Sequence, residues 1–148
     1  ITMQVIKKSV AVKADVVSRD ERETLGLRVL LNYGHSIGHA IESTTGYTQF
    51  LHGEAVSIGM MGAGLISHGM DLMSAGDLTR QRNVLKGFGL PIGWPELDVD
   101  SLLEAMTMDK KTSSGALRWV LLEQIGRAVT RSDVPIDLIK GVLDELKN

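Results

Sequence analysis

The stretch between Arg28 and Glu42 carries chemical groups that could form a functional site. Five polar side chains follow one another there at steps of four, three, four and three residues: Arg28, Asn32, His35, His39 and Glu42. On an α-helix, at about 100° per residue, these positions fall within an arc of roughly 80° on one face. A guanidinium, an amide, two imidazoles and a carboxylate on one face are unusual for a surface that meets only solvent. The pattern therefore predicts a site.

The histidines in this region have the spacing of a metal site. His52 follows His39 by thirteen residues, so three of the four histidines lie in an 18-residue window. Two imidazoles at i and i+4 face the same way, which nominates His35 and His39 as zinc ligands, with His52 or Glu54 as a third. Because the chain has no cysteine, any metal must use nitrogen and oxygen ligands. The competing interpretation of such histidines is packing or surface exposure.

Charged residues elsewhere suggest anion binding. The planar guanidinium of Arg28 would suit a carboxylate or phosphate group. Lys110 and Lys111 resemble an anion-contacting loop, although lysines at a helix end can simply complement the helix dipole. Glu54 could likewise complement the N-terminal end of its own helix. No glycine-rich phosphate loop follows a strand, so dinucleotide binding by the usual fold is not expected within this chain.

Composition indicates one globular domain without nucleic-acid or membrane partners. The length of 148 residues fits a single domain, and 43% hydrophobic with 23% charged residues is typical of globular chains. A net charge of −2 gives no reason to expect nucleic acid or an anionic membrane. No apolar run approaches the roughly 20 residues of a membrane span. The chain starts without Met, in what reads as the middle of a helix, so we expect a piece of a longer protein, with tag removal or processing as the alternative.

Hydrophobic periodicity predicts a mainly α domain with one small β-hairpin. The expected helices cover 2–13, 27–45 (ended by Gly46), 52–69, a segment from Ser74 or Asp77 to Gly87, a segment from Asp98 or Asp100 to about Lys111, and one opened by Ser132 or Asp133 that extends to about Leu146. The hairpin is expected over 117–122 and 127–130. Glycines at 34 and 38 and at 53, 59, 62 and 64 predict that two helix backbones, or a helix and a ligand, come unusually close.

Several segments in order carry a family resemblance. They are Lys13-Ala-Asp-Val-Val, Asp20-Glu-Arg-Glu, Gly26-Leu-Arg, the run from Leu31 to Glu42 (LNYGHSIGHAIE), Leu51-His-Gly-Glu-Ala-Val-Ser-Ile-Gly-Met60, and Met108-Asp-Lys-Lys with Gly115. They resemble the C-terminal domain of 3-dehydroquinate synthases. The Asn-Tyr-Gly-His-x-x-Gly-His-x-x-Glu element is highly specific, and the resemblance covers nearly the whole chain.

The resemblance implies an enzyme of two domains. These lyases convert 3-deoxy-arabino-heptulosonate 7-phosphate to 3-dehydroquinate and phosphate in the shikimate pathway, using NAD and Zn²⁺ (or Co²⁺). Residues 1–148 would form the helical metal- and substrate-binding domain of the dehydroquinate synthase-like fold, and an N-terminal NAD-binding domain would be absent from this chain. A sugar-phosphate substrate, a homodimer at full length and a cytoplasmic location follow as expectations.

The same resemblance assigns roles to residues. It implies metal binding by His35 and His52, with the third ligand a glutamate of the missing domain, and so replaces the pair suggested by spacing. His39 matches a proton-transfer and substrate-contacting position. Glu23 matches an acid/base position, and this chain has one more residue than the family pattern between Lys13 and Arg28. The implied substrate contacts are Lys13, Arg28, Asn32 and one of Lys110 and Lys111; Lys13 would otherwise be read as surface.

The sequence leaves three alternatives open. A related sugar-phosphate cyclase would make a 2-deoxy-scyllo-inosose or epi-valiolone ring, and an iron-type alcohol or glycerol dehydrogenase has a similar two-domain layout. A helical module that only mediates association is the alternative without catalysis. For the isolated 148 residues we expect a folded chain that does not turn over, binds zinc weakly and hardly binds NAD.

Overall fold

A computed structural model describes residues 2–22, 26–112 and 117–148, with side chains described for 3–22, 26–108 and 117–148. The elements are α1 (Thr2–Arg19), a 3-10 helix (Arg28–Asn32), α2 (His35–Thr44), α3 (His52–Gly69), α4 (Ala75–Gly87), α5 (Val99–Thr112), β1 (Trp119–Gln124), β2 (Arg127–Arg131) and α6 (Ile136–Glu145). The predicted mainly α class with one hairpin is confirmed. The chain divides into two units, Ile1–Asn32 and Tyr33–Asn148, which are described separately.

The first unit consists of α1, a turn and the 3-10 helix. The side chain of Asp20 is buried and accepts hydrogen bonds from the backbone N–H groups of Leu27 at 2.8 Å and Arg28 at 3.3 Å. A buried carboxylate that accepts backbone N–H groups satisfies donors left unpaired at the start of the 3-10 helix. Asp20 therefore fixes where this short helix begins.

The single helix predicted from Leu27 to Thr45 is wrong. The residues 28–32 form a 3-10 helix, and Gly34 then adopts a left-handed conformation with φ of 81° before α2 begins at His35. Glycine reaches this conformation at little cost because it has no Cβ. Of the five polar residues predicted to share one helix face, only His35, His39 and Glu42 therefore lie on the same α-helix. The predicted stop at Gly46 agrees with the end of α2 at Thr44 and with the positive φ of 60° at Gly46.

The second unit is organised around α3, which packs against α2, α4, α6 and β1. Ile58 and Ile66 of α3 and Ile41 of α2 are fully buried in this core. A Cβ on Gly59 would overlap the backbone carbonyl oxygen of Gly34, which shows that the two helix backbones touch. The predicted close approach of two glycine-bearing helices is confirmed here.

Caps confirm two helix starts of the second unit, a third start lies where the sequence predicted it, and the caps predicted for the last helix are wrong. The side chain of Ser74 accepts the Asp77 N–H at 3.1 Å, and the carboxylate of Asp98 accepts the Asp100 N–H at 3.1 Å. Helix α3 begins at His52, as expected. The caps proposed for the last helix, Ser132 or Asp133, are wrong. Asp133 instead binds the guanidinium of Arg131, and α6 begins after Pro135 with no side-chain cap.

The hairpin is antiparallel and is attached to α3. Its register runs from Trp119 opposite Arg131 to Leu122 opposite Ala128, with an irregularity before the turn. The buried hydroxyl of Ser67 on α3 accepts the Leu122 N–H at 3.0 Å. Among the helices of the described residues, none has the length and hydropathy needed to cross a bilayer.

Candidate metal centre

Three imidazole rings meet where α2 and α3 begin. His35 and His39 lie one turn apart on α2, and His52 is the first residue of α3. The ring centroids are 5.3 Å apart for His35 and His39, 5.4 Å for His35 and His52, and 6.0 Å for His39 and His52. The glycine contact between the helix backbones allows this approach. The structure thus brings together three histidines that the sequence singled out.

The ring of His35 is oriented by the backbone. Its Nδ1 lies 3.3 Å from the carbonyl oxygen of Tyr33, and a carbonyl can only accept. Nδ1 therefore carries the proton, and Nε2 keeps the lone pair that a metal needs. Burial lowers the pKa of His35, and the neighbouring imidazoles of His39 and His52 lower it further, although the Tyr33 hydrogen bond raises it. The net shift favours the neutral ring, which is the form that coordinates metal.

The carbonyl that orients His35 belongs to a firmly held residue. The Tyr33 hydroxyl donates to Oε1 of Gln81 at 2.7 Å, and the Gln81 amide donates to the carbonyl oxygen of Met60 at 2.8 Å. Burial raises the pKa of Tyr33 well above its ordinary value, so the hydroxyl stays a donor. Residues of α3 and α4 thereby fix the position of Tyr33 just before α2.

The other two rings differ in their surroundings. His52 Nδ1 lies 2.9 Å from Oε1 of Glu42, a residue of α2 that is buried. His39 is exposed, and its ring makes no hydrogen bond to any group within the described ranges. Ligand atoms of His39, Glu42 and His52 all lie within 4.8 Å of one another, so these three side chains form a second possible cation set.

His39 faces a groove between α2 and the region of α5. The groove has a volume of about 770 Å³ and is lined by hydroxyl, carboxylate and apolar groups, among them Ser36, Ser43, Ser101, Glu104 and Met106. A polar reactant in this groove could reach the His39 ring from solvent. The groove therefore suits His39 to contact with a small polar ligand better than to a closed metal site.

The remaining candidates are less constrained by the structure. Lys13 and Asn32 are exposed and Arg28 is half-buried, all in the first unit, where the Arg28 guanidinium lies 3.5 Å from the Glu21 carbonyl oxygen. Glu23 lies outside the described residues. Lys110 and Lys111 belong to α5, but their side chains also lie outside the described part. The substrate contacts expected of these residues stay predictions.

Glu54 is explained by helix capping. Its carboxylate accepts the Leu51 N–H at 2.8 Å, which satisfies a donor at the start of α3. This contact favours the capping interpretation over Glu54 as a third ligand.

The contact between Glu42 and His52 was missed by sequence reasoning. The sequence does place Glu42 on the same face of α2 as His35 and His39, which is a signal that Glu42 belongs to the site. Its contact with His52 could not be predicted, because it depends on the path of the loop between α2 and α3.

Fold and site together describe a helical domain with an imidazole cluster of the kind that binds a divalent metal. Residues 1–112 match the family model described as 3-dehydroquinate synthase C-terminal. The chain belongs to this family.

Curated relatives support the same family. The chain is 42% identical over 146 residues to the 3-dehydroquinate synthase of Thermodesulfovibrio yellowstonii, covering 98% of the chain and 40% of that protein. It is 46% identical over 141 residues to that of Gloeobacter violaceus, covering 95% and 39%. For Rhodopirellula baltica the identity is 47% over 134 residues, with 90% and 36% covered. The chain spans about two fifths of these relatives.

Solved structures of two related enzymes share the fold. The 2-epi-5-epi-valiolone synthase ValA from Streptomyces hygroscopicus, with NAD⁺ and Zn²⁺ bound, gives a TM-score of 0.83 at 26% identity, over 97% of this chain and 39% of that chain. A 2-deoxy-scyllo-inosose synthase complexed with carbaglucose-6-phosphate, NAD⁺ and Co²⁺ gives 0.74 at 29% identity, over 95% and 39%.

Proposed function

We propose that this chain forms the metal- and substrate-binding domain, residues 1–148, of a 3-dehydroquinate synthase. The complete enzyme would convert 3-deoxy-arabino-heptulosonate 7-phosphate to 3-dehydroquinate and phosphate in the shikimate pathway. The observation that carries the proposal is the cluster of His35, His39 and His52 within the segment that matches the family. Identities of 42–47% with proteins named 3-dehydroquinate synthase support this reaction over that of the related cyclases.

His35 and His52 fit a divalent metal through their Nε2 atoms. Each ring has its Nδ1 next to an oxygen acceptor, at 3.3 Å for His35 and 2.9 Å for His52, so Nε2 is left as the ligand atom. A third ligand, a glutamate, would come from the part of the enzyme that this chain lacks. When bound, Zn²⁺ or Co²⁺ supplies a Lewis acid for substrate hydroxyls, and NAD supplies a transient oxidation that acidifies a neighbouring C–H.

The other candidate residues would handle protons and anionic groups. His39, exposed in the groove, would hold or transfer a proton at its ring nitrogens, and Glu23 would act as a second acid or base. Substrate carboxylate and phosphate would be bound by Lys13, Arg28, Asn32 and one of Lys110 and Lys111. Such contacts fix the orientation of the reacting bonds before the chemical step.

The complete protein would also contain an N-terminal NAD-binding domain and act as a cytoplasmic homodimer. The isolated 148 residues would fold but would not turn over substrate. Two metal ligands and half of a substrate site are insufficient for catalysis. Zinc would bind weakly to the chain alone, and NAD hardly at all.

A chimera tests the reaction. This chain would replace the matching segment of the Thermodesulfovibrio yellowstonii relative, with which it aligns over 146 residues. We expect phosphate release from 3-deoxy-arabino-heptulosonate 7-phosphate without accumulation of NADH, and loss of that release in a His39→Ala chimera. The unmodified relative is the positive control, and circular dichroism confirms that each chimera is folded.

A related sugar-phosphate cyclase is the second candidate, because ValA shares the fold with a TM-score of 0.83. Turnover of sedoheptulose 7-phosphate but not of the heptulosonate phosphate by the folded chimera would favour that candidate and contradict the proposed reaction. Accumulation of NADH would instead favour an iron-type alcohol or glycerol dehydrogenase.

A further inference from the structure

We propose that Glu42 is a positioning residue that holds His52 ready for metal binding. Its carboxylate would accept the Nδ1–H of His52 and so keep Nε2 directed at the metal. This inference rests on the proposed metal site, and it gives a role to a residue that is not itself a ligand.

The two partners are unequal in their exposure. The Glu42 side chain is only 10% exposed, whereas the His52 side chain is 59% exposed, and their atoms Oε1 and Nδ1 are 2.9 Å apart. Glu42 is thus fixed by the packing of α2, while His52 has little packing of its own. A rigid acceptor against a loosely packed imidazole restricts the imidazole, so the contact orders His52 more than it orders Glu42.

The hydrogen bond also selects the tautomer. An ionised carboxylate can only accept, so the neutral His52 ring must carry its proton on Nδ1 to make this contact. Nε2 then has the free lone pair. A histidine whose second nitrogen donates to a carboxylate is the usual support for a metal-ligating imidazole. The carbonyl of Tyr33 supplies the matching contact for His35 at 3.3 Å, so both proposed ligands are set in the same way.

Direct ligation by Glu42 is the rival arrangement. Oxygen and nitrogen atoms of His39, Glu42 and His52 lie within 4.8 Å of one another and could surround one ion. In the structure, however, the Oε1 atom of Glu42 already faces His52 Nδ1 at hydrogen-bond distance. The positioning role keeps this contact and leaves Nε2 of His52 available, which favours it over direct ligation.

Two substitutions at Glu42 separate these roles. Glu42→Gln keeps an oxygen acceptor without the charge, and Glu42→Met keeps similar length without an acceptor. Glu96→Gln is the charge-matched control, because Glu96 is exposed and, among the described residues, its side chain accepts one hydrogen bond, from Gln49 at 3.4 Å. Far-UV circular dichroism checks the fold of each variant. If Glu42→Met does not fold, the test is made with Glu42→Gln, whose side chain has nearly the same shape as that of Glu42.

The first readout is the tautomer of His52 in the metal-free chain at pH ~7.5, from long-range ¹H–¹⁵N correlation spectra. We expect the proton on Nδ1 in the wild type, in Glu42→Gln and in the control, and a shift toward Nε2 in Glu42→Met. The second readout is Co²⁺ affinity. Loss of a supporting partner of this kind weakens metal binding by about 10- to 100-fold, which is the expected effect of Glu42→Met. The Co²⁺ affinity of Glu42→Gln should fall by less than about tenfold.

Two results would overturn the inference. One is a wild-type His52 that carries its proton on Nε2, or a tautomer that Glu42→Met leaves unchanged. The other is an equal loss of Co²⁺ affinity in Glu42→Gln and Glu42→Met, together with a shifted visible spectrum of any Co²⁺ complex that still forms. That result would make Glu42 a ligand. Failure of the wild-type chain to bind Co²⁺ at all would contradict the proposed metal site itself. The tautomer spectra need no metal, so the two failures can be told apart.

Discussion

Replacing Gly59 by alanine tests whether the histidines are held in place by backbone contact between α2 and α3. A Cβ at this position would overlap the carbonyl oxygen of Gly34 and would lie 2.9 Å from the backbone nitrogen of Gly38. Both neighbours are backbone atoms, so no side-chain rotation can relieve the overlap. The helices must separate, and the distances between His52 on α3 and the histidines of α2 must change with them.

The expected loss of stability follows from two opposing effects. Overpacking in a tight core costs about 1–3 kcal/mol, and a backbone obstacle places Gly59→Ala at or above the upper end. Alanine recovers about 1 kcal/mol through its higher helix propensity. The net decrease in the free energy of unfolding should be about 2 kcal/mol or more. For a chain of this size that corresponds to a fall in Tm of about 4–8 °C.

Gly141→Ala is the matched control for this change. Gly141 lies within α6, and a Cβ there would meet nothing within 4 Å. Only the propensity effect remains, so we expect Tm to rise by up to about 2–4 °C. Thermal and urea unfolding followed by circular dichroism compare the two variants with the wild type. A Gly59→Ala chain as stable as the wild type, or stabilised like Gly141→Ala, would refute the account of the helix contact.

Two further predictions concern the support of the core and the effect of pH. Ser67→Ala removes the acceptor of the Leu122 N–H. The unpaired backbone donor should lower the free energy of unfolding, measured by urea titration, by about 1–3 kcal/mol. An unchanged urea midpoint would contradict this role of Ser67. Hydrogen bonds from Ser101 lower the pKa of Asp98, the larger effect coming from its hydroxyl and the smaller from its backbone N–H. The ionised Asp98 therefore stabilises the folded chain at pH values above the ordinary carboxyl pKa near 4. This stabilisation is lost as the pH falls through the lowered pKa. Asp98→Asn should remove this part of the acid dependence of Tm, and an identical acid profile would refute it.

The sequence predicted the helices whose signals are local. The start of α3 at His52, the cap at Ser74 and the turn after α2 depend on residues within a few positions of each other. The break before α2 could not be predicted in this way. Gly34 can continue a helix or take a left-handed conformation at similar local cost. Its carbonyl contact with Gly59, a residue of the next helix, is available only in the folded chain.

The candidate site was predictable in its residue types but not in its detailed roles. Spacing indicated that His35 and His39 share a face, and their sequence window included His52. Which nitrogen of each ring is available depends on acceptors that the fold supplies. Those acceptors are the Tyr33 carbonyl and the carboxylate of Glu42, which lies ten residues before His52 along the chain. Periodicity carries no information about such contacts across a loop.

We propose that His35 and His52 bind the metal while His39 stays free for proton transfer. Isothermal titration of Co²⁺ into the chain and its three alanine variants tests these roles. We predict weak binding by the wild type, a Kd within about threefold of it for His39→Ala, and loss of at least tenfold in affinity for His35→Ala and His52→Ala. Loss of binding in His39→Ala with retention in His35→Ala would contradict metal binding by His35 and would assign the metal to His39, Glu42 and His52.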